Sequence, residues 1–188
     1  MKALETPRLH LRPVTPDDAG ELHQAVYSDP EVCRFFCGQT RTLEEVRERM
    51  VYRSFQARDS ALGFLAITRK SDAALIGLVA LQFYLASWIR WEDAPDEPTA
   101  RVEVELSYAL GRPFWRQGYA VEACRAVIDY AWTDLRLARI AYSVDGENAA
   151  SLALMRALGF RLGANRHPAH RSDVVAVLRN PALRNVPH

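Results

Sequence analysis

Three cysteines in 188 residues are too few, and odd in number, for a disulfide framework. They fit a reducing compartment, and a cytoplasmic location is expected. Long hydrophobic runs are missing too: the apolar stretch Ala73 to Leu81 falls well short of the roughly 20 residues that a bilayer-spanning helix needs. No membrane partner is expected. The stretch Met1 to Arg12 carries Lys2, Glu5, Arg8, His10 and Arg12 where a signal peptide would have its apolar core. Charge of one sign is not in excess either, since 24 Lys and Arg face 23 Asp and Glu for a formal net charge of +1. A nucleic-acid partner is therefore not expected. Internal repeats and low-complexity tracts are absent.

Apolar residues, by contrast, are plentiful. A hydrophobic fraction of 49% against 25% charged residues excludes intrinsic disorder, and the length suits a single domain over 1–188 with its own core. Leu9 to Val14 alternates as a strand, with Leu9 and Leu11 on one side and His10 and Arg12 on the other. Thr15-Pro16-Asp17-Asp18 reads as a helix start, and Leu22, Ala25 and Val26 continue one face. Ser28-Asp29-Pro30-Glu31 repeats that signal. Thr42-x-x-Glu45 forms a capping box for a helix to about Arg58, burying Leu43, Val46 and Met50. Ala61–Thr68 and Ala74–Tyr84 make a hairpin across Arg69-Lys70-Ser71-Asp72.

Leu85 to Thr99 is the one long loop. Arg101 to Leu110 is a strand, with Val102, Val104, Leu106 and Tyr108 facing one way and Glu103, Glu105 and Ser107 the other. A turn follows over Gly111–Ala120, then a helix over Val121–Trp132 and a strand over Leu137–Val144. Asn148–Leu158 is a helix ended by Gly159. Phe160–Gly163 and Asp173–Arg179 close the chain as strands. The expected class is a mixed α/β (α+β) fold.

Leu106 to Ala123, LSYALGRPFWRQGYAVEA, is the most informative segment. A strand ends, glycines and arginines fill a turn, and a helix begins at Gly118-Tyr119-Ala120. Small residues let backbone N–H groups approach a ligand, and a helix N-terminus favours an anion such as a pyrophosphate. The alternative is a purely structural turn. Gly111 and Gly118 are misspaced for G-x-x-x-x-G-K-[ST], and no G-x-G-x-x-G occurs, which disfavours ATP and NAD sites of those kinds.

Four blocks in order resemble the Gcn5-related (GNAT) N-acetyltransferases, in particular the ribosomal-protein alanine acetyltransferase (RimJ/RimL-like) branch. They are Thr6-Pro7-Arg8-Leu9-His10-Leu11-Arg12-Pro13, Leu75-Ile76-Gly77-Leu78, Glu105-Leu106-Ser107-Tyr108 with Pro113-Phe114-Trp115-Arg116-Gln117-Gly118-Tyr119-Ala120, and Asn148-x-x-Ser151 with Leu158-Gly159-Phe160. The resemblance covers nearly the whole chain. It implies the GNAT acyl-CoA N-acyltransferase fold, a central, mostly antiparallel twisted sheet of about seven strands with about four helices. It also implies acetyl-CoA as co-substrate and no metal.

Residue by residue, the resemblance implies that Arg116, Gln117, Gly118, Tyr119 and Ala120 wrap the CoA pyrophosphate through backbone N–H groups. Ala109 and Leu110 pair with the pantetheine arm, and the N–H near Leu110 polarises the thioester carbonyl and its tetrahedral oxyanion. Asn148 binds on the cofactor side and Ser151 lies near the sulfur. Trp115 stands where the broader family has Arg or Gln. Met155 stands where many relatives carry a tyrosine acid, so that acid is excluded. A thiolate leaving at pH 7 lacks about 2 kcal/mol of protonation driving force, a need that Ser151 or water can meet. Deprotonating an α-amine costs about 1 kcal/mol at that pH, against about 4.6 for a lysine. Glu105 is the candidate base, acting through water, with Glu103 in reserve; its alternative role is a solvated or salt-bridged carboxylate.

The expected partner is an amine acceptor, either the N-terminal α-amine of a ribosomal or other protein or a small cationic amine. Trp88, Trp91, Glu92, Asp93, Asp96 and Glu97 offer an acceptor mouth, or a loop that pins itself down with tryptophan. A non-catalytic acyl-CoA sensor is the rival from another class. His167 and His170 lack enough neighbouring ligands for a metal, Cys33 and Cys37 read as buried thiols or a surface accident, and relatives often form homodimers.

Overall fold

A computed structural model describes residues 1–57, 60–85 and 102–183. They divide into two compact units, one made of Met1–Gln82 with Ser107–Asp129 and the other of the remaining described residues. Strands β1 (Leu4–Glu5), β2 (Leu9–Pro13), β3 (Gly63–Arg69), β4 (Leu75–Leu85) and β5 (Val102–Leu110) form a five-stranded sheet in that order. The first four pair antiparallel, Leu4 opposite Leu11, Leu9 opposite Arg69 and Gly63 opposite Leu81. Period-2 alternation does what it should in β2, where Leu9 and Leu11 are fully buried and His10 and Arg12 are not.

Helix starts follow the local chemistry of their sequences. After a 3₁₀ turn at Pro16–Asp18 comes α1 (Ala19–Leu22), extended by a π-helical turn over His23–Tyr27. The Asp18 carboxylate accepts the Thr15 N–H at 2.7 Å and two bonds from Arg12 at 2.8 and 2.6 Å, tying this start to β2. Burial pushes the Asp18 carboxyl up, but the bonds from Arg12 and Thr15 outweigh it and leave it below its ordinary value. Asp29 caps α2 (Pro30–Phe36) by accepting the Glu31 N–H at 3.0 Å. The Thr42–Glu45 capping box opens α3 (Leu43–Ala57), with reciprocal bonds of 2.7 and 3.2 Å.

Val46 and Met50 on α3 pack with Leu22, Val26, Tyr27 and Leu78 in a core shielded from water. Each such side chain contributes roughly 1.5–3 kcal/mol by leaving solvent. Arg53 lies on the same stripe of α3. Its guanidinium donates to the Tyr27 hydroxyl at 2.5 Å and sits 3.6 Å above the Phe64 ring. Helix α4 (Tyr119–Thr133) begins at the predicted glycine turn and buries Ala123, Cys124, Val127, Ile128 and Ala131.

In the second unit, β6 (Arg139–Asp145), β7 (Arg161–Ala164) and β8 (Asp173–Arg179) form an antiparallel sheet in the order β6-β8-β7. Helix α5 (Ala149–Ala157) is closed by Gly159 at φ 87°. The Gly159 N–H reaches the Arg156 carbonyl and the Phe160 N–H reaches that of Met155, both at 3.0 Å, which is the Schellman pattern. Eight strands in two sheets and five α-helices thus stand among the described residues, where about seven strands and about four helices are expected. The two residues of β1 are too short to show alternation. The long acidic, Trp-bearing stretch from 86 to 99 lies outside the described residues, as does Arg58.

Candidate active site

The end of β5 is oriented by peptide geometry. The Gly111 N–H donates to the Ile76 carbonyl of β4 at 2.9 Å. Across a trans peptide the Leu110 carbonyl must point the opposite way, and there the Trp115 indole N–H donates to it at 2.7 Å. In an extended strand the N–H and C=O of one residue share a side, so the Leu110 N–H also faces away from β4. The approach of the two strands demands glycine at 77, since a Cβ there would lie 2.1 Å from the Ala109 carbonyl oxygen. Leu75-Ile76-Gly77-Leu78 therefore matters to the site by letting β5 come close.

Beyond Gly111 the chain makes a 3₁₀ turn over Arg112–Phe114 and then folds back through two left-handed residues, Arg116 at φ 59° and Gly118 at φ 80°. The first intrahelical bond of α4 runs from the Glu122 N–H to the Gly118 carbonyl at 3.1 Å. The N–H groups of Tyr119, Ala120 and Val121 lie ahead of it, at the positive end of a 15-residue helix. The Gln117 side chain is spent on the loop itself, donating to the Pro113 carbonyl at 2.7 Å. Arg112 is committed elsewhere: it pairs with Asp29 at 2.5 Å in the wall of an open cavity of about 680 Å³ that Glu21 and Gln24 also line. Arg116 is exposed within the loop.

Arg8 and Glu122 escape a reading by motif, being 114 positions apart. Glu122, in the first turn of α4, accepts the Thr6 hydroxyl at 2.7 Å, the Arg8 backbone N–H at 2.9 Å and Arg8 Nε at 2.6 Å. Arg8 also donates to the Gln117 carbonyl at 2.9 Å and lies 4.4 Å over the Tyr119 ring. Partial burial raises the Glu122 carboxyl, but the bonds from Thr6 and Arg8 prevail and hold it below its ordinary value. The Tyr119 side chain is buried. The backbone N–H of Tyr119 is what remains for a ligand.

In the second unit, strand alternation places Glu103 and Glu105 alike, yet their surroundings differ. Glu103 is buried, and both its oxygens are held by the Arg139 guanidinium, one at 2.9 Å from Nε. The reserve candidate is thus engaged in an ion pair within this unit. Glu105 is half-buried. Asn148 caps α5, its side-chain oxygen accepting the Ser151 N–H at 3.0 Å, and Ser151 is buried in the first turn. Met155 is fully buried and accepts the Tyr142 hydroxyl at its sulfur, beside the edge-on Tyr142–Phe160 pair at 5.9 Å. A thioether has no proton to give.

Among the described residues no group of three or more His, Cys, Asp and Glu is arranged to hold a metal. His167 spends Nδ1 on the Ala169 N–H at 3.3 Å, and His170 lies 3.4 Å from Asp173. No helix among the described residues is long and apolar enough to cross a membrane.

The site thus combines a strand end with an outward N–H, a left-handed turn and a helix N-terminus. The family model for the acetyltransferase (GNAT) domain matches residues 8–161. The chain belongs to the GNAT acetyltransferase family, a family of transferases that use acetyl-CoA. It is 31% identical over 163 residues to an uncharacterised N-acetyltransferase, p20, of Bacillus licheniformis, covering 86% of this chain and 83% of that protein. A GNAT-family acetyltransferase from Bacillus anthracis superposes with a TM-score of 0.74 at 18% identity, over 95% of this chain and 98% of that one. The ribosomal-protein-S5-alanine acetyltransferase of Vibrio fischeri superposes at 0.71 with 15% identity, over 96% and 98%. The expected GNAT fold is thereby established.

Proposed function

We propose that this protein is an acetyl-CoA-dependent N-acetyltransferase that moves an acetyl group directly to a primary amine in a ternary complex. The observation that carries the proposal is the β5–α4 connection: an outward Leu110 N–H at the strand end, followed by N–H groups of Tyr119, Ala120 and Val121 ahead of the first helical bond. Residues 1–188 act in it as one catalytic domain, in keeping with a family match that runs through both units. Ala109 and Leu110 take the pantetheine arm, Arg116 to Ala120 the pyrophosphate, and Asn148 assists on the cofactor side.

Glu105, through water, accepts the proton that the amine nitrogen loses as it forms its bond to the acetyl carbon. The Leu110 N–H steadies the oxygen on which charge develops. The carbon–sulfur bond then breaks, and the departing thiolate takes a proton from water or from Ser151, whose hydroxyl is restored through water by the proton that Glu105 took up. An α-amine acceptor asks about 1 kcal/mol of the base at neutral pH, a lysine about 4.6. That difference, with a structural neighbour named for its action on ribosomal protein S5, puts a protein N-terminus first, within the RimJ/RimL-like branch, and a small cationic amine second.

Met155 in the tyrosine position favours a second reading, a non-catalytic acyl-CoA sensor. Isothermal titration with acetyl-CoA, CoA and ATP tests the site, and thiol release with a panel of peptides and amines tests catalysis. Binding of acetyl-CoA but not ATP, followed by amine-dependent thiol release, is expected. Well-folded protein that ignores acetyl-CoA would sink the transferase proposal, and binding without thiol release would leave the sensor.

A further inference from the structure

Arg8 sits just ahead of β2, far in sequence from the turn it contacts. Its Nε is 2.6 Å from Glu122 Oε2 and its backbone N–H is 2.9 Å from Oε1, while another guanidinium nitrogen donates to the Gln117 carbonyl at 2.9 Å. The plane of the group lies over Tyr119, the first residue of α4, at 4.4 Å. Thr6 holds the same carboxylate from a second direction at 2.7 Å. One side chain thus touches both the loop and the first turn of the helix.

Two consequences follow from peptide geometry and charge. Capture of the Gln117 carbonyl fixes the peptide plane between residues 117 and 118, and in a trans peptide the Gly118 N–H then points away from Arg8. The bond therefore aims a donor, which the left-handed Gly118 alone would leave free to swing. Glu122 poses the second problem. A carboxylate in the first turn satisfies the helix dipole by itself and repels an incoming anion. With Arg8 ion-paired to it, the local charge is cancelled and the helix end keeps its pull on a phosphate.

We propose that Arg8 is a positioning residue for the coenzyme's pyrophosphate, acting through the Gln117 carbonyl and through neutralisation of Glu122. The proposal rests on the assignment of loop 116–120 to acetyl-CoA. It predicts a loss specific to ligands that carry the pyrophosphate. Titration calorimetry on wild type and Arg8→Met, with acetyl-CoA and with S-acetylpantetheine (which ends before the pyrophosphate), separates the possibilities.

The expected result is an acetyl-CoA affinity about tenfold weaker in Arg8→Met, the scale of one charged hydrogen bond, with S-acetylpantetheine affinity unchanged. Equal losses for both ligands, or none for acetyl-CoA, would overturn the role of Arg8. Wild type that fails to bind acetyl-CoA would instead overturn the coenzyme assignment itself. If thermal melting shows that Arg8→Met does not fold, Arg8→Lys is measured in its place, because it keeps the charge but loses the fork that spans both acceptors.

Discussion

At the scale of single residues, Glu103 and Glu105 pose the sharpest contrast. They are the same residue type, two apart on one strand, and alternation assigns them one face. Arg139 takes both oxygens of the buried Glu103, while Glu105 is half-buried. If Glu105 is the proposed base, Glu105→Gln is expected to lower kcat by about 100-fold or more, the lower end of general-base contributions, with acetyl-CoA affinity unchanged. Steady-state kinetics beside calorimetry checks this. An unaltered kcat and pH–rate profile would remove Glu105 from the mechanism. Asn148 illustrates a different lesson: its oxygen is a helix cap, so a substitution there would mix loss of helix stability with any loss of coenzyme contact.

At the scale of elements, the β5–α4 turn is where local and distant chemistry meet. Gly118 is at φ 80°, a conformation that L side chains adopt only under strain, and an added Cβ would come within 3.3 Å of the Arg8 guanidinium. Gly118→Ala is expected to cost about 1 kcal/mol of stability. It should also weaken acetyl-CoA binding, because it disturbs the loop and Arg8 together. Denaturant unfolding and calorimetry on one preparation read both effects, and a variant as stable and as tight as wild type would contradict the geometry described. Most element boundaries were legible beforehand: the Thr42–Glu45 box, the Asp29-Pro30 start and the Gly159 stop all act as their chemistry dictates. Arg53 was not. A cation on the buried stripe of α3 is tolerable only because Tyr27 and Phe64 converge on it, and no local pattern announces that.

At the scale of the whole molecule, buried and paired groups set the response to pH and to thiol reagents. Asp18 and Glu122 are both held below their ordinary values of 3.8 and 4.5. Their stabilisation is fully present above those values and is lost as pH falls through the lower values of the folded state. The urea midpoint is accordingly expected to drop between about pH 5 and pH 3, and Asp18→Asn should flatten that drop. A midpoint independent of pH over this range would show that the two pairs carry no net stability. Cys33 is buried, with its thiol pushed up to about 12, and burial pushes the fully enclosed Cys124 thiol up as well. Cys37 alone of the three is partly exposed. Native protein should therefore label at Cys37 first, with the other two reacting on unfolding, as peptide mapping would read. Rapid native labelling of Cys124 would contradict its burial.

Composition, period and caps by themselves determined the class of fold, the order of most strands and helices and the glycine turn between β5 and α4. These depend on side chains within a few positions of one another, and the 2- and 3.6-residue periods record which faces must leave water. Only the tertiary structure decided that Arg8 clamps Gln117 and Glu122, that Arg139 pairs with Glu103, that Arg112 is spent on Asp29 and that Met155 lies against Tyr142. Each of these joins residues distant in sequence. Their pairing is settled by how strands register and helices pack, and sequence spacing carries no record of it.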